Sequence, residues 1–316
     1  MANRIKEKYM AGKRYFDYPM LFLVIFLICF GLVMIYSTSS YKSTVTYGNS
    51  YHWLLRQAVA IVLGAVAMVV CCKLDYRIIK SEKVGNGCYW ASIVLLVLVL
   101  IIGAAKKGAV RWISIAGFQF QPSEVSKILV VIYLANRLSA NAHKIRTFKD
   151  SIVIVLPTVP IIALIVTQNL STALVVCSMI GVMLFVVSPK MKELMLTAGG
   201  GIILLFVYLL TANSYRNERV QIWLHPESHK KGFQTMQALY AIGSGGIFGK
   251  GLGQSMQKMG FIPESHNDMI FSIICEELGL FGAVCLILVF VALIFRMLLI
   301  ALNTDCLLYT SDAADD

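Results

Sequence analysis

The sequence predicts an all-α polytopic membrane protein of about eight transmembrane helices, with a large external loop between the seventh and the eighth. Three observations carry that prediction. Of 316 residues, 58% are hydrophobic and only 14% are charged, more apolar than a soluble domain of this size requires. The apolar residues fall in runs long enough to cross a bilayer core of about 30 Å. The segments between the runs are rich in Lys and Arg on one side only, the asymmetry that sets orientation. The formal net charge of +11, from 28 Lys and Arg against 17 Asp and Glu, therefore reads as cytoplasmic anchoring. It does not read as a nucleic-acid surface, and no nucleic-acid partner is expected.

The first run, 20–36, follows a basic N-terminus as a signal peptide would. No small-residue cleavage pattern follows Tyr36 and more runs come after it, so it reads as a retained helix. Runs at 54–72 and 88–105 are next. The fourth, 121–137, opens at Pro122, a residue suited to the first turn of a helix. Runs at 151–167 and 170–188 flank the polar break Gln168–Thr172. A seventh covers 194–212, and the eighth, 268–299, is long enough to tilt or to extend beyond the bilayer. Each is expected to be helical, because a backbone in lipid must satisfy its own hydrogen bonds. Residues 1–300 read as one transmembrane domain. Residues 301–316 read as a non-native tail.

Orientation follows from the basic residues. Arg4, Lys6, Lys8, Lys13 and Arg14 lie on one side, with Lys73, Arg77, Lys80, Lys83, Arg137, Lys144, Arg146, Lys149, Lys190, Lys192 and Arg296. The short loops opposite carry only Lys42, Arg56, Lys106, Lys107 and Arg111. The N-terminus is therefore placed in the cytoplasm and the 213–267 loop outside. Charge within a span costs about 2.5–3.5 kcal/mol per residue on insertion scales, so such residues are functional candidates. Here they are Glu124, Lys127, Glu276 and Glu277, with Asp268 at a boundary. All fall in the outer half. An ion pathway would string charges through the midplane; an outer cluster suggests chemistry on something presented at the outer leaflet. The eight cysteines show no CxxC spacing and read as small buried hydrophobes, not as a disulfide framework or zinc site.

Four segments hold the remaining polar residues. In Ala109–Lys127, Glu124 and Lys127 are three apart and share a helix face, either as a structural ion pair or as the floor of a head-group site. Arg111 and Trp112 lie just outside; the Trp fits an interfacial anchor and the Arg a phosphate ligand. Gln168–Thr172 fits a tight outer turn or a substrate-facing helix cap. The glycine-rich stretch Ala241–Ser255 is not a Walker motif, since Ser244 and Gly251 occupy required positions. Its glycines suit a compact re-entrant turn with close backbone approach. In Gly260–Gly279, Asp268 opens the last span after Glu264, His266 and Asn267. It suits a helix cap, but Glu276 lies two turns deeper, where no capping role is possible. His266 alone fits a solvated interfacial residue.

Taken together, RWISIAGFQFQPSEVSK, QNLSTALV, GFQTMQALYAIGSGGIFGKGLGQS and FIPESHNDMIFSIICEELGLFG resemble the SEDS family of shape, elongation, division and sporulation proteins (FtsW, RodA, SpoVE). The resemblance covers about residues 15–300. The NLSTA form, the SMQK of residues 255–258 and the Arg216/Arg219 pair look more like FtsW or SpoVE than RodA. The family fold has ten helices, two more than are read here, so the resemblance implies that the 1–300 domain is incomplete at its C-terminal end. The resemblance implies a peptidoglycan glycosyltransferase of the bacterial cytoplasmic membrane that joins lipid II units into glycan strands at the outer face, in cell division or sporulation. It implies Asp268 as general base, in an inverting transfer. Arg111, Lys250, Lys258 or a divalent cation such as Mg or Mn would then meet the pyrophosphate. Glu124, Lys127 and Glu276 would organise the site. Trp112, Gln121, Ser123, Asn169, Ser171, Thr172, Arg219, Glu264 and His266 complete the expected substrate-binding set. The implied partners are lipid II, a class B penicillin-binding transpeptidase and other division proteins. Two alternatives stand beside this reading: a lipid II flippase, which calls for polar residues through both leaflets, and a non-catalytic division scaffold, which would tolerate loss of Asp268.

Overall fold

The computed structural model describes residues 17–74, 78–79, 81–106, 109–115, 118–141, 148–187, 221–229 and 232–303. Its order is α1 (Tyr18–Tyr47), α2 (His52–Lys73), α3 (Glu82–Ile102), β1 (Ala104–Lys106), β2 (Ala109–Ile115), β3 (Phe118–Phe120), α4 (Pro122–Ala140), α5 (Phe148–Val155), α6 (Val159–Gln168), α7 (Leu170–Val187), α8 (Phe233–Ser244) and α9 (Ile270–Asn303). Among the described residues, five segments are long and apolar enough to cross a membrane: Tyr18–Tyr47, His52–Lys73, Glu82–Ile102, Lys149–Gln168 and Ile270–Ala301. Leu170–Phe185 is a shorter apolar helix. The run expected at 194–212 lies outside the described residues.

The chain divides into two compact units, one built from Met1–Cys72 and Leu209–Asp305, the other from Lys73–Tyr208. In the first, α9 packs on α1 and on α8. Met34 of α1 is buried against Ile274 and Leu286, and Ala241 of α8 against Ile262 and Ile273. In α1, Asp17 caps the start by accepting from the Met20 amide at 2.8 Å. The helix runs well beyond the expected end at residue 36, because its serines and threonines stay helical. Thr38 and Thr44 donate their hydroxyls to the carbonyls of Met34 and Ser40, each at 2.8 Å. Gly48, in the left-handed conformation, ends it.

In the second unit α3, α4, α6 and α7 pack around Leu96, Val130, Leu134, Ile161, Ile165 and Val176. Asn136 of α4 donates to the carbonyls of Ile79 and Ser81 at 2.8 and 2.9 Å, fixing the entry to α3. Two elements differ from expectation. The stretch after α3 is a three-stranded antiparallel meander in the order β1-β2-β3, pairing Ala104 with Trp112 and Ile113 with Phe120. The third span therefore stops at Ile102, and the β-branched and aromatic residues that follow take up strand. The fifth span is broken by a 3-10 turn at Leu156–Thr158. Pro157 and Pro160 supply no amide to a continuous helix. Of the described cysteines only Cys275 is buried in protein, whereas Cys29, Cys71, Cys72, Cys177 and Cys285 are exposed. The expectation of small buried hydrophobes is thus corrected: most of these thiols sit on outward faces of apolar helices.

Candidate active site

The glycine-rich loop is built onto a break in α9. Gly279 leaves helical geometry with φ 68° and ψ −170°, which releases backbone groups on both sides of it. The loop satisfies them. The amides of Lys250 and Gly251 donate to the carbonyls of Glu276 and Glu277 at 2.9 Å, and those of Leu280 and Phe281 donate to Gly246 and Ile247 at 2.9 and 3.0 Å. The approach admits no side chain at the crossing: a Cβ on Gly279 would lie 2.3 Å from the Gly249 nitrogen. Glycine is needed there for conformation and for space.

Two ion pairs clamp the same loop. Glu276 and Glu277 are both fully buried. Lys250 Nζ lies 2.7 Å from Glu276 Oε1, and Lys258 Nζ lies 2.7 Å from Glu277 Oε1. Ser255 also donates to Glu276, and Lys250 donates to Ser244 at 2.9 Å. The Ser37 hydroxyl of α1 meets both Glu277 oxygens at 2.8 and 2.7 Å, and Lys258 donates to Ser37 at 3.1 Å. The sequence reading sets Lys250 and Lys258 against a pyrophosphate; in the structure their ammonium groups are held by the two glutamates, and Lys258 is buried.

Beyond the clamp, residues 263–269 form a series of turns and α9 begins at Ile270, not at Asp268. The segment is braced from several sides. Glu264 lies 3.8 Å from Lys42 and accepts from Asn267 at 3.0 Å. Ser265 donates to the Thr38 carbonyl, and the His266 ring packs 4.7 Å from that of Trp53. His266 is buried, and neither ring nitrogen has a hydrogen-bond partner. Burial lowers its pKa and so does the charge of Lys42, against a smaller opposing pull from Glu264. Asp268 is exposed. Among the described residues of this unit, the other carboxylates, Asp17, Glu227, Glu264, Glu276 and Glu277, are each paired. Among the described residues the Asp268 carboxylate has no hydrogen-bond or ion-pair partner and α9 starts two residues later, so it does not cap the helix. An open groove of about 580 Å³ lies nearby, lined by Tyr36, Ser37, Tyr41, Leu252, Lys258 and Met259 among others.

The second unit holds the remaining expected residues. Glu124 and Lys127 pair at 2.8 Å, as their spacing suggested, but the pair is open to its surroundings, with Glu124 54% exposed. Gln121 donates to the buried Ser123 hydroxyl at 3.0 Å. Asn169 accepts from the Ser171 amide at 3.1 Å, a cap on α7, and Thr172 is buried. Trp112 is half-buried. The side chain of Arg111 and all of Arg219 lie outside the described residues. Among the described residues no group of three or more His, Cys, Asp and Glu is arranged to hold a metal ion. The divalent cation admitted by the chemistry therefore has no assigned ligands.

Sequence reasoning left Ser37, Lys42, Trp53, Ser244 and Ser255 out of the site. The signal available was the run Ser37-Thr38-Ser39-Ser40 at the end of an apolar helix. Hydroxyls in such a place suit contacts between helices.

Five helical segments among the described residues that are long and apolar enough to cross a membrane define a multi-pass membrane protein. The chain belongs to the FtsW/RodA/SpoVE family of cell cycle proteins, whose family model matches residues 18–310. It is 36% identical over 299 residues to a Geobacter metallireducens protein named "Probable peptidoglycan glycosyltransferase FtsW", covering 91% of this chain and 77% of that one. It is 34% identical over 297 residues to stage V sporulation protein E of Bacillus subtilis, covering 91% and 79%. Among solved structures, a chain described under structural coordination of polymerization and crosslinking by a peptidoglycan synthase complex matches with TM-score 0.71 and 28% identity, over 92% of this chain and 79% of that one. The rod shape determining protein RodA of Thermus thermophilus matches with TM-score 0.63 and 25% identity, over 94% and 79%.

Proposed function

We propose that this chain is a peptidoglycan glycosyltransferase that polymerises lipid II at the outer face of the bacterial cytoplasmic membrane, with Asp268 as general base. The observation that carries the reading is the state of Asp268. Its segment is braced by Lys42, Thr38 and Trp53, yet its own carboxylate is exposed and uncommitted. A base must be positioned and must also be free to take a proton. In the reaction, the acceptor 4-hydroxyl gives its proton to Asp268 and its oxygen attacks the donor anomeric carbon. The bond from that carbon to the pyrophosphate oxygen breaks, and configuration inverts. The names of the relatives support the reaction class. The basic asymmetry of the loops supports a cytoplasmic N-terminus and an external Asp268. A solved relative comes from a complex coordinating polymerization with crosslinking, which supports a class B penicillin-binding transpeptidase as partner.

The test is Asp268→Asn, assayed for glycan synthesis from lipid II with the purified protein and its partner. Loss of a general base lowers turnover by about 100- to 10,000-fold, while expression and thermal stability stay near those of the native protein. Glycan synthesis at the native rate by this variant would overturn the assignment.

A further inference from the structure

We infer that the tip of the glycine-rich loop, Ile247–Phe248, inserts into the hydrocarbon of the bilayer just inside its edge. The edge can be placed from the polar contacts between α1 and α9. One set joins Asp17 to Arg296; the other joins Ser37 to Glu277 and Lys258. Neither helix has a charged residue between these levels. At roughly 1.5 Å per residue, Asp17 and Ser37 are about 30 Å apart along α1, and Glu277 and Arg296 are about 28 Å apart along α9. Both agree with a hydrocarbon core of about 30 Å. The two polar levels therefore mark the two edges of the core.

The loop crosses the edge at Ser37–Glu277. Its residues Gly246 and Ile247 accept hydrogen bonds from Leu280 and Phe281, about one turn, roughly 5 Å, inward of Glu277. Phe248 packs against Phe281 with ring centroids 6.4 Å apart. At the tip Ile247 is 64% and Phe248 80% exposed, beside the equally open Leu280 and Phe281. The charges of the loop face the other way: Lys250 and Lys258 are neutralised by Glu276 and Glu277. Non-helical backbone is tolerated at this depth only where its polar groups are paired within protein, and the bonds across the Gly279 break supply that pairing. An apolar, charge-free tip at this level is covered by lipid acyl chains. Asp268, before the start of α9, remains on the aqueous side of the same edge.

The test places the photoreactive residue p-benzoylphenylalanine at position 248, and separately at 247, in the full chain reconstituted into phosphatidylglycerol–phosphatidylethanolamine vesicles. Intact mass after irradiation reads the adduct. Position 287, on the exposed outward face of α9, reports lipid contact in mid-membrane. Position 228, an exposed residue of the loop before α8, reports the aqueous side. One-phospholipid adducts at 247, 248 and 287, with none at 228, are expected. Adducts at 287 without any at 247 and 248, a protein–protein adduct at 248, or equal adducts at 228 and 248 would each overturn the inference.

Discussion

Replacing Lys258 by Met removes the cation from a carboxylate that has no access to solvent. Glu277 is 0% exposed, and its partners are the Lys258 ammonium at 2.7 Å and the Ser37 hydroxyl at 2.8 and 2.7 Å. Ser37 keeps its bond in the variant but brings no charge. Stranding one member of a buried pair costs about 3–5 kcal/mol, a large part of a typical folding stability of about 5–15 kcal/mol. At about 2–4 °C per kcal/mol for a domain of this size, the thermal midpoint should fall by roughly 6–20 °C. The double variant Lys258→Met with Glu277→Gln removes both charges and should regain most of that loss. The assay is the temperature series of detergent-solubilised protein followed by gel filtration, for the two single variants and the double. Strictly additive losses would refute direct coupling. A Lys258→Met protein within about 1 kcal/mol of native would refute the view that Glu277 is charged and buried.

Other outcomes follow from the same geometry. Lys127→Ala should cost only about 0–1 kcal/mol, because its partner Glu124 is 54% exposed; a loss as large as that of Lys258→Met would show a buried pair after all. Gly279→Ala should destabilise by more than about 1 kcal/mol, since φ there is 68° and the new Cβ meets the loop backbone; an unchanged thermal midpoint would refute the crossing. His266 has its pKa lowered by burial and Lys42. Below its ordinary value of about 6.5 the unfolded chain takes up a proton that the folded chain refuses until lower pH, so stability falls as pH drops through that window. His266→Phe, which retains an aromatic ring for Trp53, should flatten that slope; identical pH profiles would remove His266 as its source.

Much of this protein was legible from its residues alone. A bilayer imposes a length, an apolar composition and a helical backbone on whatever crosses it. Runs such as 54–72 and 170–188 therefore announced α2 and α7 almost to the residue. Pro122 marked the start of α4, and the spacing of Glu124 and Lys127 announced their pair. The glycine content of Ala241–Ser255 announced a close backbone approach. What the sequence could not reveal was which charge answers which. Lys250 and Lys258 looked available for a ligand, because Glu276 and Glu277 are distant in sequence and Ser37 is separated from Glu277 by most of the chain. Only the fold of the loop across the broken helix brings them within 2.7 Å. Asp268 and Glu276 likewise read as similar acids eight positions apart. One is exposed and unpaired, the other fully buried beside a lysine and two serines. Local composition sets what each segment must be, because solvent and backbone act on it residue by residue. The partner of a charge is set by contacts between distant segments, which the packing of α1, the glycine-rich loop and α9 alone decides.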